Sequence, residues 1–276
     1  MKGLKIILSI FLAFMGIGIS FAKKITVEVG EFEKLKVNGN ISVICKNLTD
    51  SIGYAWYDDF NGDGDIFKFS TKNDGTLKVE PSDEKWGQTG LPVIYVYSAS
   101  LTSVESFSDQ NVEIVGLAPC SSFNVNQVGN GSISVENIKS NNVTAAITTG
   151  NGTIYLTGSC LNANYRMVGA GLISADQLRA ENIKCRILGT GSIGCWPIDN
   201  LRVTGLGSTK IYYKGSPNIK KTGGGKLFEL PDDIEEDEYA RLGTPVKSLD
   251  PPSPDSDEEE EEDEEEDYET VVTEDE

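Results

Sequence analysis

Eight consecutive residues, Asp59-Phe60-Asn61-Gly62-Asp63-Gly64-Asp65-Ile66, have the types and spacing to hold a hard cation. They match the opening of a calcium loop, with side-chain oxygens at positions 1, 3 and 5, glycine at 6 for a sharp turn and an apolar residue at 8. Asp59, Asn61, Asp63 and Asp65 are the candidate ligands. Calcium takes six to eight oxygens, and the acidic residue that normally supplies two of them at position 12 is here Ser70. Ile66-Phe67-Lys68-Phe69 then alternates as a strand does where a helix would follow, so a polar hairpin loop is the competing reading.

Other chemistry is sparser. The chain has no histidine, which removes the commonest general base, the commonest zinc ligand and every Ser-His-Asp arrangement. Glu136 and Asp176 share one offset from the preceding glycine, two coils apart. At about 4.8 Å per coil they would stand roughly 10 Å from each other, nominally the range of an inverting carboxylate pair; a solvated face is the plainer account. Five cysteines, Cys45, Cys120, Cys160, Cys185 and Cys195, fit no zinc or redox spacing. Buried thiols are expected, with Cys185 and Cys195 packed as small apolar side chains. Tyr54, Trp56, Tyr57, Trp86 and Trp196 could form a sugar-stacking platform or pack in the core.

The elements that must position these residues announce themselves by repetition. A Gly-X-Gly doublet recurs at Gly129, Gly150, Gly169, Gly189, Gly205 and Gly223, in steps of 21, 19, 20, 16 and 18 residues. Ile133, Ile154, Ile173 and Ile193 each lie four residues after the first glycine, Leu227 holds that place in the last coil, and Val135, Leu156, Ala175 and Cys195 follow two residues later. Period two is strand spacing, and a period near twenty with no helical run is that of a β-solenoid with parallel strands. The doublets then read as corners, because a phosphate loop would open a helix and these open β-branched alternation. Upstream the strands are less regular, at Ile25–Val29, Lys34–Val37, Ile41–Cys45, Ile66–Phe69, Leu77–Val79, Val93–Tyr97 and Val112–Val115.

Charge and hydropathy divide the chain further. Lys2 and Lys5 precede an apolar run from Ile6 to Phe21, and Ser20-Phe21-Ala22 suits cleavage before Lys23, so residues 1–22 read as a signal peptide with no membrane span after cleavage. From Glu229 onward 24 acidic residues face two basic ones, a net of −22, whereas residues 23–228 carry 20 basic and 19 acidic, a net of +1. The expected organisation is a signal peptide 1–22, a β lead-in or cap 23–116, regular coils 117–230 and a disordered acidic tail 231–276. A near-neutral folded part without a basic stripe argues against nucleic acid, and the tail is a candidate for contact with cations or a basic partner.

The tandem Gly-X-Gly-Ser/Thr-Ile coils, Ile211-Tyr212-Tyr213-Lys214-Gly215-Ser216-Pro217-Asn218-Ile219, Gly39-Asn40-Ile41-Ser42-Val43, Asp74-Gly75-Thr76-Leu77 and Pro92-Val93-Ile94-Tyr95-Val96-Tyr97 resemble the "putative auto-transporter adhesin head GIN domain" family over residues 25–230. That resemblance implies a secreted protein of a Bacteroides-like bacterium, a right-handed parallel β-helix and an adhesion-type role with no defined catalytic residues. Many members place an aspartate after the doublet, where this chain has Ser132, Thr153, Leu172 and Ser192. The expectation is therefore an all-β, single-stranded right-handed parallel β-helix. It would be exported to the periplasm, cell surface or exterior, and would bind a surface glycan or protein without catalysis. A structural envelope protein and a polysaccharide-active enzyme are the alternatives.

Overall fold

Alternation with period two commits this chain to strands, and the way they stack decides which residues meet. The computed structural model describes residues 23–60, 62 and 64–231; the signal-like segment 1–22, Asn61, Asp63 and the acidic segment 232–276 lie outside the described residues. Among the described residues seventeen strands form one continuous sheet. The lead-in supplies β1 (Lys23–Glu28), β2 (Lys34–Val37), β3 (Val43–Lys46), β4 (Tyr54–Asp59), β5 (Phe67–Thr71), β6 (Thr76–Pro81), β7 (Ile94–Tyr97), β8 (Ser103–Ser106) and β9 (Asn111–Val115). The coils supply β10 (Cys120–Gln127), β11 (Ser132–Ile147), β12 (Thr153–Met167), β13 (Leu172–Ile187), β14 (Ser192–Gly205), β15 (Lys210–Tyr213), β16 (Asn218–Gly223) and β17 (Lys226–Glu229). Among the described residues no helix is long and apolar enough to cross a membrane.

Two parallel stacks make the solenoid. The stack leading into the glycine corners runs β6, β2, β8, β10, the second halves of β11 to β14, then β16. The stack trailing them runs β7, β3, β9, the first halves of β11 to β14, then β15 and β17. The isoleucine ladder is real and longer than the doublets suggest: Ile94, Val43, Val112, Ile133, Ile154, Ile173, Ile193, Ile211 and Leu227 stack in register. All but Leu227 are fully buried, and each such side chain contributes roughly 1.5–3 kcal/mol of burial.

The corner glycines are required chiefly by close approach rather than by left-handed backbone. A methyl on Gly171 or Gly191 would overlap the carbonyl oxygen of Gly152 or Gly171, the doublet glycine one coil earlier. Those carbonyls accept from the next coil, as when Leu172 N–H meets Gly152 O and Ser192 N–H meets Gly171 O, both at 3.0 Å. The corner amides and carbonyls thus bond coil to coil, which leaves no phosphate cradle.

The lead-in departs from sequence order. The coil β2–β3, first along the chain, lies between β6–β7 on one side and β8–β9 on the other. The outermost coil is then covered by antiparallel strands, β5 on β6 and β4 on β7, with β1 on β4. Antiparallel partners close an edge that would otherwise recruit other chains. Two lead-in strands, β4 and β8, are not expected from sequence: Tyr54-Ala55-Trp56-Tyr57 reads as an aromatic cluster, and Ser103-Val104-Glu105-Ser106 has only one apolar residue.

Candidate functional site

The candidate calcium loop leaves the end of β4. Asp59 is buried, its two carboxylate oxygens accepting the Gly62 N–H at 2.8 Å and the Gly64 N–H at 3.0 Å. Tyr57, just before it, donates its hydroxyl to Gly64 O at 3.0 Å. Asp59 therefore organises the turn, as an aspartate at the head of a polar loop does. Asp65 is exposed, and Asn61 and Asp63 are outside the described residues. Ser70 sits on β5, a strand.

The two acids of the coils do not meet as a column. Ladder pairing jumps from Val135↔Leu156 to Ile138↔Gly158, and from Tyr155↔Ser174 to Thr157↔Gln177, so Glu136 and Asp176 both fall in bulges. Asp176 is buried, accepts the Ser174 hydroxyl at 3.0 Å, and lies 3.9 Å from the Lys214 ammonium, a residue two coils on. Trp196 lies between them in coil order, with Arg179 at 5.1 Å and Lys214 at 5.7 Å from its ring. A buried carboxylate matched to a lysine holds three coils together.

The aromatic residues named in the sequence do not gather into one platform. Tyr57 is in the core, edge-on to Phe67 at 4.9 Å. Trp56 stacks on Tyr95 at 4.1 Å, its indole N–H donates to the Tyr97 hydroxyl at 2.8 Å, and Lys24 covers it at 3.9 Å. Both ring faces are thus occupied, which leaves none for a sugar. Trp86 is exposed, its ring edge near Gly39.

All five cysteines are free thiols, and all but Cys120 are buried. Burial pushes the Cys45 thiol up to about 12 and the Cys160 thiol up to about 11. Cys195 is raised by its hydrogen bond with Cys185 and then by burial. Thiols held protonated are neither nucleophiles nor metal ligands near neutral pH.

Between the two stacks a shallow, open groove of about 660 Å³ crosses four coils, β10 to β13. Its floor is the paired series Cys120, Ser140 and Cys160, and Lys139, Asn141 and Glu181 are among its rims.

Two surface features escaped the sequence reading. Asn142, Asn162, Asn182 and Asn200 form a ladder, each amide of the later coil donating to the carbonyl oxygen of the one before at 3.2, 3.3 and 2.8 Å. Its signal was an asparagine every 18 or 20 residues. The second feature corrects the expected lack of a basic stripe. Arg166, Lys184, Arg186, Arg202 and Lys220 all project from the leading stack of β12, β13, β14 and β16, between buried inward neighbours such as Tyr165, Cys185 and Val203. A net charge near zero hid them, because summation discards position.

A family model described as "Putative auto-transporter adhesin, head GIN domain" matches residues 31–217. No curated protein matches the chain. Among solved structures it is similar to a "putative adhesin" from Bacteroides fragilis NCTC 9343, with 20% identity over 76% of this chain and 99% of that one and a TM-score of 0.66. It is similar to a "putative lipid binding protein" from Parabacteroides distasonis ATCC 8503, with 20% identity, 76% and 97% coverage and a TM-score of 0.59. A "putative adhesin" from Parabacteroides merdae ATCC 43184 gives 20% identity, 78% and 98% coverage and a TM-score of 0.60. At such identity these likenesses show the fold.

Proposed function

We propose, since the chain belongs to the "putative auto-transporter adhesin, head GIN domain" family, that it is an exported, non-catalytic binding module holding a surface glycan or protein segment in the groove between its stacks. The observation that carries this is the groove itself, which is lined from four successive coils, β10 to β13, with Lys139 and Asn141 of β11 and Glu181 of β13 around its floor. Charged and amide groups fixed on stacked strands suit hydrogen bonding to an extended polar ligand, with little ordering cost in the protein. The apolar run before Ala22 and the family's adhesin description support export to the periplasm, surface or exterior.

The test is a glycan and surface-protein binding screen with the mature chain, residues 23–276, read together with product formation from the same polysaccharides. Binding that falls about tenfold in a Lys139→Ala, Glu181→Ala double variant is expected. Product formation would turn the reading to a polysaccharide-active enzyme, and silence in both assays to a structural envelope protein. Calcium at Asp59, Asn61, Asp63 and Asp65 is a separate proposal resting on their spacing. A melting temperature that rises with millimolar calcium, and rises less in Asp65→Ala, supports it; an unchanged melting temperature discards it.

A further inference from the structure

One outer face of the solenoid has a graded composition that the groove does not use. Along the leading stack the outward positions of three successive coils read Asn162, Asn164, Arg166 and Val168; Asn182, Lys184, Arg186 and Leu188; Asn200, Arg202, Thr204 and Leu206, with Lys220 next in the Lys184–Arg202 column. The first column is the asparagine ladder, satisfied within itself. The middle columns hold the five cations, and none of them has an ion-pair or hydrogen-bond partner among the described residues. Among the described residues no acidic side chain occupies these outward positions. The far column ends in Leu188 and Leu206, 58% and 88% exposed, whose amides continue the ladder to Met167 O and Ile187 O. Coil spacing of about 4.8 Å puts Lys184, Arg202 and Lys220 in a regular row.

Five cations without a carboxylate partner among the described residues, beside two exposed leucines on adjacent coils, suit an anionic partner that also accepts apolar side chains. We infer that this face docks on an anionic lipid bilayer, the arginines and lysines meeting headgroup phosphates and Leu188 and Leu206 entering the boundary between headgroups and acyl chains. The row lies on parallel, hydrogen-bonded strands, which present its charges together to one surface. Nucleic acid is disfavoured because the face offers no ring for base stacking. A protein interface is commonly anchored by aromatic side chains, and these outward positions hold none among the described residues. The 24 acidic residues from Glu229 onward carry the same sign as the lipid and oppose docking, an opposition that salt screens and that the binding of the mature chain includes.

The decisive experiment is co-sedimentation of the mature chain with phosphatidylcholine vesicles, with and without about one-third phosphatidylglycerol, in about 0.15 M salt. Binding to the anionic vesicles alone is expected, falling about twenty-five-fold in Arg186→Gln, Arg202→Gln, at about fivefold per cation. Leu206→Ser should weaken it roughly tenfold. All three side chains are exposed, so melting curves should match the parent. Equal binding to neutral vesicles, no binding to anionic ones, or an unaffected double variant would overturn the proposal. So would binding of an acidic polysaccharide by the same arginines without vesicle binding. An unaffected Leu206→Ser would remove the leucines from it. The Lys139→Ala, Glu181→Ala variant should bind vesicles normally, which separates this surface from the groove.

Discussion

On the outside of the same stack, the lead-in and the coils treat lysine in opposite ways. In the lead-in, Lys36 meets Glu105 at 2.7 Å and Lys78 meets Glu80 at 2.6 Å, and Asn126 from the first regular strand adds its amide to Glu105 at 2.9 Å. Two coils further, Arg166, Lys184, Arg186, Arg202 and Lys220 face solvent without a carboxylate among the described residues. Backbone organisation differs too: antiparallel strands cover the lead-in's outer coil, whereas parallel pairs alone join the coils. The lead-in is built to close an edge. The coils are built to repeat, and a repeated outward position becomes a continuous surface whose composition folding does not dictate. Side chains there are accordingly available for binding.

That contrast can be sharpened by experiment. The largest effect should come from the lead-in core, through Cys45. Its thiol lies at about 12 against an ordinary 9.0, so the folded state holds the proton longer. The resulting stability is fully present below pH 9 and is lost as pH rises from 9 towards 12, by up to about 1.4 kcal/mol per pH unit. Urea unfolding between pH 8 and 11 should show the fall, and Cys45→Ala should reduce its slope, the remainder coming from Cys160 and Tyr165, which burial also raises, and from Cys195, raised by its hydrogen bond with Cys185 and by burial; an identical slope in the variant would show that Cys45 does not contribute.

Next in size is a pair of glycines. Gly191→Ala forces a methyl against Gly171 O, and should cost about 3 kcal/mol. Gly90→Ala in the lead-in has open space around it and only a positive φ of 72° to oppose it, and should cost about 1 kcal/mol. Equal losses of denaturation midpoint would mean that close stacking does not distinguish the two regions. Asn182→Ala removes both its ladder bonds and should cost about 1–2 kcal/mol in the same measurement; no loss would reduce the ladder to a by-product of repetition. The smallest effects concern charge. Glu105→Gln should destabilise by under about 1 kcal/mol, because Lys36 and Glu105 are about one-third exposed, while Arg202→Gln should change stability by no more than about 0.5 kcal/mol. A large loss for Arg202→Gln would make the cationic face structural and weaken the case for a binding role.

Much of the fold was legible because its signals are local. The Ile133–Ile193 ladder, the corner glycines and seven lead-in strands follow from period two and turn residues alone. Ile211 escaped because its coil places it six residues after Gly205 rather than four. Glu136 and Asp176 looked like a column because they share an offset from glycine, but bulges shift the register and Asp176 turns to Lys214. Offsets count residues, whereas columns depend on pairing. The groove between the stacks has no sequence signal, because its rims come from separate coils.

The sequence by itself determined a β-solenoid with glycine corners, an apolar interior and a separate block of acid from Glu229 onward. These depend on alternation, chain reversal and composition, each readable within a few residues. Only the tertiary structure decided that the first coil along the chain becomes the second in space, that four asparagines spaced 18 or 20 residues apart form a bonded ladder, and that five scattered cations become one face. Such neighbours are about twenty residues apart along the chain yet a strand spacing of about 4.8 Å apart in space, and only the register of coil on coil brings them together.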